Sequence, residues 1–163
     1  PETAWANNVR PGKKNVFPNP SFEETTVPGL PDYYHGAFVL AAPGQARFGE
    51  NAIVLTRRAD ALAPTPLNWS CAPQHDQPAP YVLSFWAKGA QGGEKLLVRH
   101  KASQTQTTIV LTDAWRRWEF PALVIPTRQK PDRDDFLVYL MNGTVWLDGM
   151  QLEAGYQATE FAD

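Results

Sequence analysis

The side chains best suited to bind a ligand lie at alternate positions of short segments that also carry large apolar residues. In the segment 81–88 the apolar residues fall at every second position, which leaves Trp86 on the opposite, outward side. The same alternation predicts four further outward side chains: Arg99, Arg117, Glu119 and Tyr139. An aromatic ring can stack on the apolar C–H face of a pyranose, and flanking polar side chains can hydrogen-bond its hydroxyls. We therefore predict a sugar-binding site in which Trp86 stacks on a ring and these four supply or border the polar contacts.

Two features leave the details of that site open. Trp86 is available to a ligand only if neither the amino-terminal arm nor a long loop covers it. The loop that carries Tyr33 and Tyr34 follows a Pro-Asp turn, so these tyrosines either border the site or pack within the domain. We include both tyrosines among the candidate ligand-binding residues.

The sequence contains no recognisable motif of a catalytic site. The histidines His35, His75 and His100 are scattered without the spacing of metal ligands. The sequence contains neither a Gly-rich phosphate loop nor a Gly-x-Ser-x-Gly elbow. A pair of glycosidase carboxylates remains open, because the chain carries many Asp and Glu residues. We predict no catalytic residue and a domain that binds without reacting.

Composition narrows the class of partner. A chain of 163 residues with 43% hydrophobic residues is long and apolar enough for one folded domain. A formal net charge of -2 argues against nucleic acid, which favours a basic surface, and against a polybasic membrane contact. A neutral polysaccharide suits this charge balance.

The pattern of short runs predicts an all-β fold. Ten runs alternate apolar and polar residues: 15–17, 36–41, 51–57, 66–71, 81–88, 95–102, 105–112, 115–124, 135–141 and 144–152. The 15 prolines and 11 glycines cluster between them, as turns do. We predict an antiparallel β-sandwich of the jelly-roll type over 15–163, preceded by a linker or arm over 1–14. Asn142-Gly143 predicts a two-residue hairpin between the last two strands.

Three blocks carry a family resemblance. They are Asn15-Val16-Phe17-Pro18-Asn19-Pro20-Ser21-Phe22-Glu23, Tyr81-Val82-Leu83-Ser84-Phe85-Trp86-Ala87-Lys88 and Val145-Trp146-Leu147-Asp148-Gly149-Met150-Gln151-Leu152-Glu153. In this order they resemble the carbohydrate-binding modules of the family four/nine type, which are galactose-binding-domain-like jelly rolls. The resemblance covers roughly 15–161. It implies non-catalytic binding of polysaccharide or oligosaccharide, and an attached catalytic domain in a larger extracellular or cell-surface protein.

The resemblance also implies a structural Ca²⁺. Modules of this type often take calcium ligands from the opening Phe-Glu block, a Gly-Glu-Asn-Ala region and the Asp of the last strand. The matching residues here are Glu23, Asn51 and Asp148. Two carboxylates and backbone carbonyls are the hard oxygen ligands that Ca²⁺ prefers. The alternative is that Glu23 and Asp148 only cap turns.

A second class of function stays open at this point. The segments Gln151-Leu152-Glu153-Ala154-Gly155 and Ala158-Thr159-Glu160-Phe161 are similar to the ends of β-sandwich domains associated with phage tails. The chain would then be an adhesion or assembly domain of a surface or phage-tail protein. In such a domain Trp86 would be buried in a protein contact.

Overall fold

The computed structural model describes residues 15–32, 34–36, 38–57, 60, 62, 65–71, 79–101, 103–125 and 134–162. Its strands are β1 (Tyr34–Gly36), β2 (Phe38–Leu40), β3 (Ile53–Arg57), β4 (Thr65–Cys71), β5 (Ala79–Gly89), β6 (Lys95–His100), β7 (Gln106–Val110), β8 (Arg116–Ile125), β9 (Asp134–Leu140) and β10 (Gly143–Ala154). No helix occurs in these described residues, so none there could cross a membrane.

The strands form two antiparallel sheets of five strands each. The first sheet has the order β1-β4-β9-β6-β7, and the second sheet has the order β2-β3-β10-β5-β8. Most chain connections cross from one sheet to the other, whereas β2–β3 and β6–β7 are neighbours within a sheet. This arrangement confirms the predicted all-β antiparallel sandwich.

The core lies between the inner faces of the two sheets. The first sheet contributes Leu67, Leu96, Val98, Phe136, Val138 and Leu140, and the second sheet contributes Ile53, Leu55, Leu83, Phe85, Ala87, Phe120, Val145, Leu147 and Leu152. His100 is also buried there, tilted against Phe136 at 5.0 Å between ring centroids. The predicted inward sides of β5, β6, β8 and β9 are therefore confirmed.

The opening segment is not a strand. Residues 15–17 form coil that is bonded to β10 through the Val16 N–H, which donates to the Leu152 carbonyl at 2.9 Å. The Asn15 side chain donates to the carbonyls of Met150 and Ala162, at 2.8 and 2.9 Å. The arm 1–14 lies outside the described residues.

Two predicted connections differ in the structure. The run 36–41 contributes to two short strands, β1 and β2, which belong to different sheets. The predicted hairpin at Asn142-Gly143 is wrong, because β9 lies in the first sheet and β10 in the second. The turn instead carries the chain from one sheet to the other, and Gly143 adopts a φ of 75° there.

Candidate functional site

The predicted ligand-binding side chains divide between the two outer faces of the sandwich. Trp86 pairs with Arg117 across β5 and β8 of the second sheet. Tyr139 pairs with Leu97 across β9 and β6 of the first sheet, where Arg99 also lies. These faces point away from each other across the core, so the five side chains do not form the single site predicted from the sequence.

The outer face of the first sheet has an aromatic ring at its centre. Tyr139 lies on β9, the middle strand, and its side chain is half-buried. The Arg99 guanidinium carbon lies 5.9 Å from the centre of the Tyr139 ring. Arg99 also donates from Nε to Gln106 Oε1 at 3.0 Å, which fixes the guanidinium beside the ring. Tyr139 and Arg99 are therefore brought together as predicted.

Further polar and apolar groups border this ring. Leu97 and Leu137 are half-buried on the same face, and Thr108, which pairs with Leu97, is exposed. Asn68 pairs with Leu137, and its Oδ1 is buried without a hydrogen-bond partner in the described part of the chain. A buried acceptor without a donor costs free energy, so Asn68 favours a hydroxyl or water as partner. The face thus combines a stacking ring with hydrogen-bonding groups.

Trp86 is packed rather than open. The Arg47 guanidinium carbon lies 4.3 Å from the centre of its ring, and the Phe48 ring meets it edge-on at 5.9 Å. Phe48 in turn stacks on Phe161 at 4.5 Å. The Trp86 Nε1 is buried and has no acceptor among the described residues. The loop between β2 and β3 therefore covers Trp86. This is one of the two ways in which the sequence analysis expected Trp86 to be closed to a ligand.

Arg117 and Glu119 accompany Trp86 on the second sheet. Arg117 donates from one terminal nitrogen to Ser84 Oγ at 2.9 Å, and Glu119 pairs with Ser84 and is exposed. The Arg117 Nε is buried without a partner in the described residues. These side chains are outward as predicted, but they are remote from Tyr139.

Tyr34 belongs to the core and not to a ligand site. Its side chain is 4% exposed, and its hydroxyl donates to the Pro18 carbonyl at 2.9 Å. Its ring packs edge-on against Phe22 at 4.8 Å. The prediction that Tyr34 borders a site is therefore wrong, because its hydrogen bond and ring contact satisfy it internally. Tyr33 lies outside the described residues.

Asp148 is a buried carboxylate at the β-bulge of β10. Its Oδ2 accepts the backbone N–H groups of Arg47 and Phe48, both at 2.8 Å, and its Oδ1 accepts that of Gly149 at 2.7 Å. Removal from water raises the pKa of Asp148 to about 7, and the charge of nearby Glu23 adds to this. The three N–H donors act in the opposite direction but do not outweigh the burial.

Glu23 holds the other end of the same loop. Its Oε1 accepts the backbone N–H groups of Glu50 and Asn51, at 3.0 and 2.8 Å, while the Asn51 side chain donates to the Phe22 carbonyl at 3.1 Å. Within the described residues neither Glu23 nor Asp148 forms an ion pair. Two carboxylates from distant parts of the chain therefore bind the backbone of the loop between β2 and β3.

The ligand set would have to include backbone oxygens. No group of three or more His, Cys, Asp or Glu side chains in the described part of the chain could hold a metal. Carboxylate and carbonyl oxygens are hard ligands, so an ion at Glu23 and Asp148 would be Ca²⁺ rather than a transition metal.

A second aromatic feature on the second sheet was missed from the sequence. Lys88 lies between the rings of Trp115 and Trp146 on the same outer face as Trp86. The sequence did contain a signal for the outward position of Trp146, because its neighbours Val145 and Leu147 are apolar and are both fully buried in the structure. The sequence pattern alone did not reveal that Trp115 and Trp146 flank one lysine.

A cavity of about 270 Å³ lies at one end of the sandwich, between residues 90–94 and 142–144. Glu94 is the charged side chain in its lining, and its carboxylate already accepts the N–H groups of Gln91 and Gly92 at 2.8 and 2.9 Å. No aromatic ring lines this cavity, which lacks the stacking surface of a sugar site.

Solved structures with the same fold include carbohydrate-binding modules. The chain superimposes on TmCBM61, solved in complex with β-1,4-galactotriose, with a TM-score of 0.56, 17% identity, and coverage of 88% of this chain and 100% of that one. A structure described as a CBM4 matches with a TM-score of 0.57 and 14% identity, over 85% of this chain and 99% of that chain. No protein-family model and no curated protein matches the chain.

A viral protein shares the fold as well. The enzymatically active domain of tailspike protein 4 from bacteriophage CBA120 matches with a TM-score of 0.56 and 12% identity, over 87% of this chain and 22% of that one. At these identities the comparisons show the fold. The chain has the jelly-roll β-sandwich of the carbohydrate-binding modules, as the resemblance implied.

Proposed function

We propose that this domain binds a neutral oligosaccharide, without catalysis, on the outer face of the first sheet. The observation that carries the proposal is Tyr139, a half-buried ring on the central strand beside the fixed Arg99–Gln106 pair. The ring stacks on the C–H face of a pyranose, while Arg99 and Gln106 hydrogen-bond its hydroxyls. Carbohydrate-binding modules with the same fold support this assignment.

The groups around Tyr139 suit the hydroxyls and the apolar C–H face of a sugar. Arg99 bonds Gln106 through Nε and lies near the Tyr139 ring, and its terminal nitrogens are donors that can reach sugar hydroxyls. Leu97 and Leu137 supply apolar surface next to the ring, and the exposed Thr108 supplies a hydroxyl. Hydroxyl groups, which both donate and accept hydrogen bonds, match this mixture of donors, acceptors and apolar surface.

The wider role extends this binding function. We propose that the domain is part of a larger glycan-active protein, outside the cell or at its surface, and targets an attached catalytic domain to polysaccharide. Tethering raises the effective concentration of the second domain at the substrate without any new contact. This role rests on the family resemblance.

We also propose that Glu23, Asp148 and carbonyls near Asn51 hold a structural Ca²⁺. The ion would neutralise two carboxylates that share the loop between β2 and β3, one of which is fully buried. Its role is to stabilise the loop, because the pair lies on the second sheet side and not at Tyr139.

Affinity gel electrophoresis with β-1,4-galactan, xylan and β-glucan tests the sugar-binding proposal. Tyr139→Ala should lower affinity for the retarding polymer about tenfold or more, as expected for loss of a stacking ring. Tyr156→Ala is the matched control, because Tyr156 is 77% exposed in the carboxyl-terminal segment. Equal retardation of parent and Tyr139→Ala on every polymer would refute the assignment of the face.

A second candidate function is an adhesion or assembly domain, and the tailspike match favours keeping it. Such a domain would be retarded by none of the polymers, and the outer face of the first sheet would contact protein. Incubating the bound glycan with the domain and measuring new reducing ends separates binding from hydrolysis. Release of sugar would contradict the non-catalytic assignment.

A further inference from the structure

The outer face of the second sheet carries a row of three side chains that we name the tryptophan–lysine row: Trp146, Lys88 and Trp115. Trp146 pairs directly with Lys88 across β10 and β5. Trp115 comes one residue before Arg116, which pairs with Ala87. The row therefore runs from β10 across β5 to the residue that directly precedes β8, and all three side chains are half-buried.

Lys88 is a cation that contacts aromatic rings and, among the described residues, no carboxylate. Its Nζ lies 5.1 Å from the centre of the Trp146 ring and 5.3 Å from that of Trp115. In the described part of the chain it has these two ring contacts and no ion pair. A half-buried ammonium keeps its hydrogen-bond donors, so a ligand carboxylate or sulfate would gain a charge-assisted bond there.

The charges around Lys88 also favour an anionic ligand. Arg47 and Arg117 lie on this face with Lys88, and no ion pair joins either of them to a carboxylate among the described residues. Asp148 is fully buried and is bonded to backbone N–H groups, which leaves Glu119 as the exposed acidic side chain beside Arg117. This positive charge is confined to the face around Lys88, since the whole chain carries a formal net charge of -2.

We propose that the tryptophan–lysine row is a second binding site, which takes a carboxylate- or sulfate-bearing pyranose of an anionic polysaccharide. Lys88 bonds the anionic group, and the two indoles contact the apolar faces of the sugar on either side. Sugar is favoured over an acidic peptide because two flat aromatic rings flank the cation. The site is independent of Tyr139, which lies on the opposite sheet.

Affinity measurements with polygalacturonate, dextran sulfate, polyglutamate and neutral β-1,4-galactan test this site. Lys88→Gln should lower affinity for polygalacturonate or dextran sulfate about tenfold, the loss expected for one hydrogen bond to a charged group. Lys88→Arg should retain most of the affinity, and Lys101→Gln, an exposed lysine on a turn of the other sheet, is the charge-matched control. Comparing the carboxylated with the sulfated polymer identifies which anionic group the site takes.

The outcomes separate this site from the proposed function. Tyr139→Ala should leave binding to the anionic polymers unchanged, and Lys88→Gln should leave binding to neutral galactan unchanged. Trp146→Ala should weaken anionic binding as Lys88→Gln does, with its melting curve confirming that it folds. No binding of parent protein to either anionic sugar polymer, equal losses in Lys88→Gln and Lys101→Gln, or equally tight binding of polyglutamate would each overturn the proposal.

Discussion

Asp148 is the residue whose chemistry depends most on its surroundings. Its side chain is fully buried, and three backbone N–H groups bond its two oxygens. Those bonds favour the ionised form, yet burial and the neighbouring Glu23 favour the protonated form, and the pKa of Asp148 is raised to about 7. Without a cation, folding therefore favours the protonated acid.

The first prediction concerns pH. The pKa of Asp148 is 3.8 before folding and about 7 in the folded chain, so the unfolded state releases its proton first as pH rises. With a chelator present, Asp148 should therefore reduce the free energy of unfolding progressively from about pH 4 to about pH 7. Thermal melts near pH 5 and pH 8 should show this loss in the parent protein and not in Asp148→Asn. An equal pH response in both proteins would contradict the assignment.

The second prediction concerns Trp86. Because Arg47 covers its ring and Phe48 packs on its edge, Trp86→Ala should destabilise the domain by about 2 kcal/mol, less than for a fully buried tryptophan. Binding of neutral galactan should be unchanged, since Tyr139 lies on the other sheet. Urea unfolding and affinity gels measure the two effects. A stable variant that no longer binds galactan would place the sugar at Trp86 instead.

At the scale of elements, the β-bulge of β10 and the loop between β2 and β3 form one unit. The register of β10 against β5 shifts between Asp148 and Gln151, and Gly149 lies in the shift with a φ of 57°. A Cβ on Gly149 would lie 2.5 Å from Phe48 Cε2. The glycine thus permits both the backbone conformation and the close approach of the Phe48 ring.

The third prediction follows from that contact. Gly149→Ala should destabilise the domain by about 2–3 kcal/mol, because it combines a left-handed backbone with a collision against an aromatic ring. Gly44→Ala is the control for the backbone term, since Gly44 has a φ of 83° but no atom within 4 Å of its added Cβ. If the two variants lose equal stability, the packing of Phe48 on Gly149 has no energetic weight.

The sequence predicted the positions and inward faces of the strands more accurately than it predicted which strands pair with one another. Alternation is a local property of the chain, so the inward sides of β5 and β9 could be read from it directly. The sheet to which a strand belongs depends on the path of the connections, and Asn142-Gly143 has the same composition in a hairpin as in a crossing turn. For that reason Trp86 and Tyr139 were both predicted to face outward, but not on opposite sides.

The candidate site, like the fold, could be predicted from the sequence only in part. The resemblance brought Glu23 and Asp148 into one proposed metal site, and in the structure both accept backbone N–H groups of the loop between β2 and β3. The sequence left open whether a loop covers Trp86, because Arg47 and Phe48, which cover it, are distant from it along the chain. Tyr34 was wrongly predicted to border the ligand site, because Phe22 and Pro18, which hold it in the core, are also remote in sequence.

At the scale of the whole molecule, the two outer faces have different chemistry. The first sheet presents Tyr139 beside a guanidinium that Gln106 holds in place, with apolar side chains around the ring. The second sheet presents tryptophans interleaved with cations, and its β10 carries the proposed calcium ligand Asp148. Stability and neutral-sugar binding should therefore respond to different substitutions.

The fourth prediction concerns calcium and the stability of the whole domain. Ca²⁺ at about 100 times its Kd should raise the Tm by about 5 °C or more, because the ion binds the folded state alone. Asp148→Asn should abolish the rise, and Asp113→Asn, at an exposed turn, should retain it. Calorimetry with chelator and with added Ca²⁺ measures both, and an unchanged Tm in the parent protein would exclude the metal site.

The outer face of the first sheet is tested most directly by nuclear magnetic resonance of the labelled domain, titrated with β-1,4-galactotriose, xylotetraose and cellotetraose. For an oligosaccharide that binds, the largest amide shifts should fall on β6 and β9, around Arg99 and Tyr139, and Tyr139→Ala should remove them. The amides around Lys88 and Trp115 on the second sheet should stay in place. Shifts confined to the second sheet, or no shift with any of the three sugars, would contradict the proposed binding face.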